Sequence, residues 1–303
     1  MAALRQSLKK LIKKGIYWMV PQGVSAFVIN HLRTILENRR PLRQILRKNE
    51  KFMNRHRGQR CFILACGPSI KKQDLTPLKN EVCISVSNFF VHKDYDFIRP
   101  KYHCLPDVIK GHPREHNEEY VIRWFREIES KIDDTFLFLS FGDKKLIETH
   151  RLFQDKEVHY LNFGGDWNEM SSHTVDLSRS YLPFPQSVSV LALMMALYMG
   201  FKEIYLLGCD HNWISHVGTS SHFYEESENI LATRPGYSEW VGTDYELLFR
   251  CYWNLWNQYK ILNRYGQKRG IGIYNATGGG ILDVFPKVSY ETLFERDKLK
   301  WSH

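Results

Sequence analysis

The chain has 303 residues, 43% of them apolar, 25% charged and 14% aromatic. That composition supplies core material for one large domain or two small ones and argues against disorder along most of the length. It holds no uninterrupted run of 18 apolar residues, which excludes a conventional membrane-spanning helix. Six cysteines (61, 66, 83, 104, 209 and 251) lie scattered without a CxxC pair, a usage that predicts reduced thiols in a cytosolic compartment and no zinc ribbon.

The net charge of +9 is unevenly placed. Residues 1 to 60 carry 15 Lys and Arg against Glu37 and Glu50, and the rest carries 27 basic against 31 acidic residues. A basic arm, residues 1–56, is thus expected to precede a slightly acidic body, 57–303. In "LRQSLKKLIKKGIYWMV" the spacing of Leu4, Leu8, Leu11 and Ile12 predicts one apolar stripe of a helix, flanked by Lys9, Lys10, Lys13 and Lys14. With Tyr17, Trp18 and Phe27 following, residues 1–45 read as an interfacial anchor on an anionic membrane surface, peripheral to the inner face of the cytoplasmic membrane. A solvated helix docked on the body, or a contact in a homo-oligomer, is the alternative for the same residues. A nucleic-acid partner is not expected, because the acidic body continues no basic track. The start does not read as a secretory signal, since Pro21, Gln22 and Gly23 break its apolar stretch with no clear cleavage site. The second basic segment, 36–60, reads as a linker to a body beginning near Arg57.

In the body, short apolar runs alternate with segments of helical period. Strands are predicted at 61–66, 82–87, 102–105, 135–140, 158–162, 202–208 and 270–275. "SVSVLALMMALYMG" (187–200) predicts a helix apolar nearly all round and stopped by Gly200. Thr243-Asp244-Tyr245-Glu246 has the form of a capping box opening a long helix to about Tyr265, and "VSYETLFERDKLK" reads as a closing helix. Alternating strands and helices, the strands apolar on both faces, predict an α/β fold with a mostly parallel sheet between helical layers.

Ligands of such sheets bind beyond the carboxyl ends of the strands. Here those ends carry Gly67-Pro68-Ser69, Asn88, Asp107, Asp210-His211 and Asn275. Gly67 allows a ligand close approach, and Ser69 offers a hydroxyl and an N–H near a helix start, useful for phosphate. Asp210 suits a sugar hydroxyl, a Mg²⁺ ion or the orientation of a base, or else caps its own loop. The polar segment 211–241 has the length and composition of a lid and contains His211, His216, His222, Tyr224, Arg234, Tyr237 and Glu239. Its three histidines have no metal-site spacing, and no metal is expected. "NATGGG" (275–280) either presents amides to a ligand or makes a flexible turn.

Together "CFILACGPSIKKQDLTPLKNEVCISVSNFF", "SVSVLALMMALYMGFKEIYLLGCDHNW" and "YNATGGGILDVFPKV" resemble the MptE-like domain of bacterial surface-polysaccharide and flagellin-glycosylation loci. That domain is related to 6-hydroxymethylpterin diphosphokinase, and the same landmarks are similar to those of bacterial CMP-sialic-acid-dependent sialyltransferases. The resemblance covers about 60–300 and is loose between 110 and 180. It implies a sialyltransferase-like, GT-A-variant Rossmann sheet that transfers an acidic sugar, of nonulosonic acid or Kdo type, from a CMP-sugar to a polysaccharide or glycolipid acceptor, with no required cofactor. By the same resemblance Gly67, Pro68 and Ser69 lie against the donor phosphate, Asn88 contacts the nucleotide sugar, Asp107 replaces a donor-binding Asn, and Ser187 or Ser189 contacts the donor. The leaving phosphate would find donors on Ser69, Tyr224 and Tyr237. Two departures stand out: Cys66 replaces the family's Asn, and "YSEWVGTD" lacks the family's basic His. Asp210, Glu239, His211 or His222 is then left to serve in catalysis. The rival expectations are a diphosphokinase using ATP and Mg²⁺ held by Asp107 and Asp210, and a non-catalytic assembly scaffold.

Overall fold

The computed structural model describes residues 40–108, 118–167, 175–179, 181–216, 222–224 and 244–294. Residues 1–39 of the arm, Tyr237, Glu239 and most of the segment 211–241 lie outside the described residues. The chain divides into two compact units, Met1–Ile45 and Leu46–His303. No helix among the described residues is long and apolar enough to cross a membrane.

The secondary structure begins with helix α1 (Arg40–Arg47) and a 3₁₀ turn over Lys48–Phe52. Strands β1 (Arg60–Leu64), β2 (Cys83–Val86), a short helix α2 (Tyr95–Ile98) and β3 (Tyr102–Cys104) follow. Helix α3 (Glu118–Lys131) leads to β4 (Phe136–Ser140), helix α4 (Lys144–Thr149) and β5 (Val158–Leu161). Two short strands, β6 (Phe163–Gly165) and β7 (Leu182–Pro183), pair with each other alone. Helix α5 (Val188–Tyr198), β8 (Glu203–Leu207), helix α6 (Tyr245–Gln267) and β9 (Gly272–Asn275) complete the body.

The seven long strands form one all-parallel sheet in the order β5-β4-β3-β2-β1-β8-β9. The chain lays β1 to β5 outward to one edge, then returns to place β8 on the vacant side of β1. This is the doubly wound, Rossmann-like plan, and its direction of winding switches between β1 and β8. Side chains alternate between two cores. Ile63, Ile84, Cys104, Phe138 and Leu206 face the layer containing α5. Phe62, Leu64, Leu137, Leu139 and Leu207 face the layer containing Trp124, Phe125 and Ile128 of α3. Burial on both faces is why the inner strands read as continuous apolar runs, whereas the edge strands β5 and β9 alternate buried and half-buried residues.

Helix α5 packs on β1, β2 and β3 and is covered in turn by α6, so every residue from Ser189 to Tyr198 is buried. Its all-round apolar sequence follows from that position. It ends as Gly200 predicts: at φ +80° Gly200 lets its own N–H reach Leu197 O and lets Phe201 N–H reach Ala196 O, the paired bonds of a Schellman stop. Helix α6 is capped one residue later than expected, Asp244 accepting from Leu247 N at 2.8 Å. Of the expected closing helix, one turn at 292–294 is described.

The segment expected to link arm and body belongs to the body from Leu46 onward. Phe52 is fully buried among Phe136, Phe138 and His159, and His56 stacks on Phe201 while bonding Tyr102 Oη at 2.6 Å. Its cationic residues masked three inward-facing positions, Leu46, Asn49 and Phe52, so the boundary near Arg57 moves to Leu46.

Candidate functional site

The carboxyl ends of β1 and β8 meet at the winding switch. Gly67 N–H donates to Gly208 O at 2.8 Å, and a Cβ on Gly67 would lie 2.1 Å from Asp210 Oδ2 and 2.4 Å from Gly208 O. Only glycine permits that approach. Immediately beyond, Ser69 Oγ donates to Asp210 Oδ2 at 2.8 Å and Ser69 N–H to Oδ1 at 3.3 Å. The hydroxyl and amide that the sequence offers to a phosphate are therefore aimed at the carboxylate, and neither Pro68 nor Ser69 lines the cleft described below.

The glycine-rich turn after β9 buttresses this pair. Gly280, at φ +77°, presses on the backbone of Asp210, where an added Cβ would come within 2.3 Å of its Cα. Ile281 N–H donates to Asp210 O at 2.9 Å. Asn275 is fully buried, giving its amide hydrogens to Leu282 O and accepting from Thr277 N, and does not line the cleft. Gly279 and Gly280 thus allow close packing against Asp210, while Gly278 lies against Gln73.

On the other side of β1, the ends of β2 and β3 supply Asn88 and Asp107, both 4% exposed. Asn88 Oδ1 accepts from Trp124 Nε1 at 2.6 Å. Asp107 Oδ2 accepts from Ser140 Oγ at 2.7 Å, and that hydroxyl accepts in turn from Gly142 N. Cys66 also reaches the cleft; burial pushes its thiol well above the usual range, and the thiol donates to Val86 O.

The third wall is the start of α5. Ser187 is its N-cap, and from it a buried chain of hydroxyls runs Ser187 Oγ to Ser189 Oγ (2.8 Å), to Tyr259 Oη (2.7 Å), to His211 Nε2 (2.8 Å). Burial lowers the pKa of His211 to about 3, so its imidazole is neutral in any physiological medium and a weak acceptor of a catalytic proton. His211 sits at φ +48°, as does Ser87 beside Asn88; both unusual backbones lie in the cleft wall.

From the 211–241 segment, His222 and Tyr224 line the cleft, their rings stacked at 4.9 Å. Between them Phe223 is buried against Phe89 and His92, and its N–H donates to Cys66 O at 2.9 Å.

These walls enclose about 430 Å³. Of the residues singled out from sequence, Gly67, Asn88, Asp107, Ser187, Ser189, Asp210, His211, His222 and Tyr224 line it together. Among the residues that sequence reasoning missed are Trp124, which lines the cleft, and Tyr259, which bonds the lining residues Ser189 and His211. Each sits in the apolar period of a helix, with no local signal that its polar atom is turned toward the strand ends. Among the described residues no three His, Cys, Asp or Glu gather into a metal-holding group, and Asp107 and Asp210 each accept from a serine.

No family model and no curated protein matches the chain. Among solved structures, the chain is similar to a mammalian sialyltransferase in complex with Gal-beta-1-3GalNAc-ortho-nitrophenol, at a TM-score of 0.34 and 9% identity over 71% of this chain and 69% of that one. A likeness of that size says nothing of chemistry.

Proposed function

We propose that the protein is a glycosyltransferase that moves an acidic sugar from a CMP-sugar donor to a glycan or glycolipid acceptor. The observation that carries the reading is the convergence of four strand ends and one helix start on a single cleft at the winding switch, where doubly wound sheets hold nucleotides. The choice of CMP-sugar rests on the sequence resemblance.

In this reading the donor phosphate lies against Ser187 and the first turn of α5, whose amides and positive dipole end favour an anion. Asp210, held by Ser69, accepts from a hydroxyl of donor or acceptor. The acceptor hydroxyl gives its proton to a base as its oxygen forms the new bond to the anomeric carbon. The bond from that carbon to the phosphate oxygen breaks, and its electron pair leaves with CMP. His222 is the base we favour, because it lies at the cleft surface whereas His211 is buried with its Nε2 committed to Tyr259. Glu239 is the alternative outside the described residues. The basic arm keeps its role as anchor on an anionic membrane, which suits a lipid-linked acceptor.

The test is a thermal-shift panel of CMP, CDP, UDP, GDP and ATP with and without Mg²⁺. A nucleotide that binds the folded state raises the melting temperature by mass action. A shift by CMP that is insensitive to chelator supports the reading. A shift by ATP that needs Mg²⁺ moves the assignment to diphosphate transfer, with Asp107 and Asp210 on the metal. No shift by any nucleotide leaves a non-catalytic scaffold.

A further inference from the structure

Asn88 and Trp124 meet by a contact that settles the polarity of one wall of the cleft. Trp124 is 2% exposed, and its indole nitrogen lies 2.6 Å from Asn88 Oδ1. An indole N–H donates and cannot accept. The carboxamide must therefore turn its oxygen to Trp124, because the opposite orientation would set two donors against each other in a dry site. The NH₂ end is then the one left for the cleft that both residues line, and it has no hydrogen-bond partner among the described residues. Neither residue can easily move. Trp124 packs in the core layer beneath the strands and stacks on Phe125 at 5.5 Å, and Asn88 follows Ser87 at φ +48°.

We infer that Trp124 is a positioning residue that fixes Asn88 as a hydrogen-bond donor, and that the ligand of this cleft places an acceptor atom at the end of β2. Resting on the nucleotide reading above, this says what Asn88 takes from the ligand: an acceptor, whether a phosphate oxygen, a sugar hydroxyl oxygen, or a carbonyl oxygen or ring nitrogen of the base.

The experiment is calorimetric titration of the full chain with CMP and with cytidine, using Asn88→Asp, Asn88→Ala and Trp124→Phe. Asn88→Asp keeps the bond from Trp124 but replaces the cleft-facing donor with an acceptor. It is expected to weaken CMP by about 100-fold or more, against roughly 10-fold for Asn88→Ala, because repulsion exceeds simple loss. Trp124→Phe fills the space without the N–H and is expected to weaken CMP by roughly 3- to 10-fold. In the Asn88→Ala background it should add nothing, which a purely structural tryptophan would not satisfy. If the acceptor is phosphate, cytidine is blind to Asn88→Asp; if it is the sugar or the base, cytidine weakens as CMP does. CMP binding by folded Asn88→Asp within about threefold of wild type overturns the inference. An independent arm uses protein labelled with ¹⁵N-tryptophan: Asn88→Ala should shift the Trp124 indole proton and speed its exchange. An unmoved indole overturns the inference whatever CMP does. A moved indole in a protein that binds no nucleotide retires the nucleotide reading and leaves the fixed donor supported.

Discussion

Ser69 and Asp210 hold each other across 141 residues of chain, Oγ to Oδ2 at 2.8 Å and N to Oδ1 at 3.3 Å. The pair ties the first turn of the sheet to the strand that arrives after the winding switch. It also fixes the carboxylate's rotamer at the cleft wall. Ser69 takes two of the about four hydrogen bonds that a carboxylate accepts.

Asp210→Asn tests that assignment. Asparagine keeps an acceptor for Ser69 N–H and can donate to Ser69 Oγ, so the melting temperature should move by no more than about 2 °C. Turnover should fall roughly 100-fold or more, because the charge is lost where a hydroxyl is bound. Wild-type turnover by the variant would reduce Asp210 to a turn residue.

Gly67→Ala places a methyl where Asp210 Oδ2 and Gly208 O already stand, 2.1 and 2.4 Å from the new carbon. We expect a loss of about 1–3 kcal/mol in urea unfolding and a collapse of activity greater than that loss explains. A variant as stable and as active as wild type would show that the two turns do not approach so closely.

Tyr259→Phe removes the hydroxyl shared by His211 and Ser189. His211 Nε2 then loses its partner, at about 1–3 kcal/mol, and Ser189 Oγ is left with Ser187 Oγ. The loss should appear in chemical denaturation, with weaker CMP binding as the Ser187 hydroxyl loses its fixed orientation. Unchanged affinity would separate the hydroxyl chain from ligand binding.

Acid should destabilise the fold through histidines kept neutral by burial. The pKa of His103, fully buried beside Ser85, is lowered to about 3, that of His159 to about 4 and that of His211 to about 3. When unfolded they take up protons near pH 6.5. The unfolded state therefore binds more protons between about pH 6.5 and pH 3, and stability falls as pH drops through that window, by at most about 1.4 kcal/mol per unit for each group. On acidification from about pH 7 to pH 5 the urea midpoint of wild type should fall more steeply than that of His103→Leu. Parallel curves would mean that His103 takes up its proton as readily in the folded protein as in the unfolded chain.

Removing residues 1–45 should leave a folded body, since the second compact unit begins at Leu46, and should reduce sedimentation with anionic vesicles. Equal partitioning of the two proteins would retire the anchor.

All seven long strands, the all-round apolar α5 and its glycine stop were legible in the sequence, because a parallel strand or a sandwiched helix buried on every side must be written in continuous apolar residues. The polar strand ends were legible for the complementary reason, that apolar runs stop where the chain leaves the core. Strand order was not: a run such as "KEIYLLG" carries no mark of which neighbour it pairs with, and the switch beside β1 exists only once β8 is in place. Nor were the partners of the site residues. Ser69 with Asp210, Trp124 with Asn88 and Tyr259 with His211 are joined by contacts between side chains far apart in the chain, and the direction of each donor is a property of the folded geometry. Composition and periodicity decide what must be buried; only the packing of one layer on another decides which buried polar atom meets which.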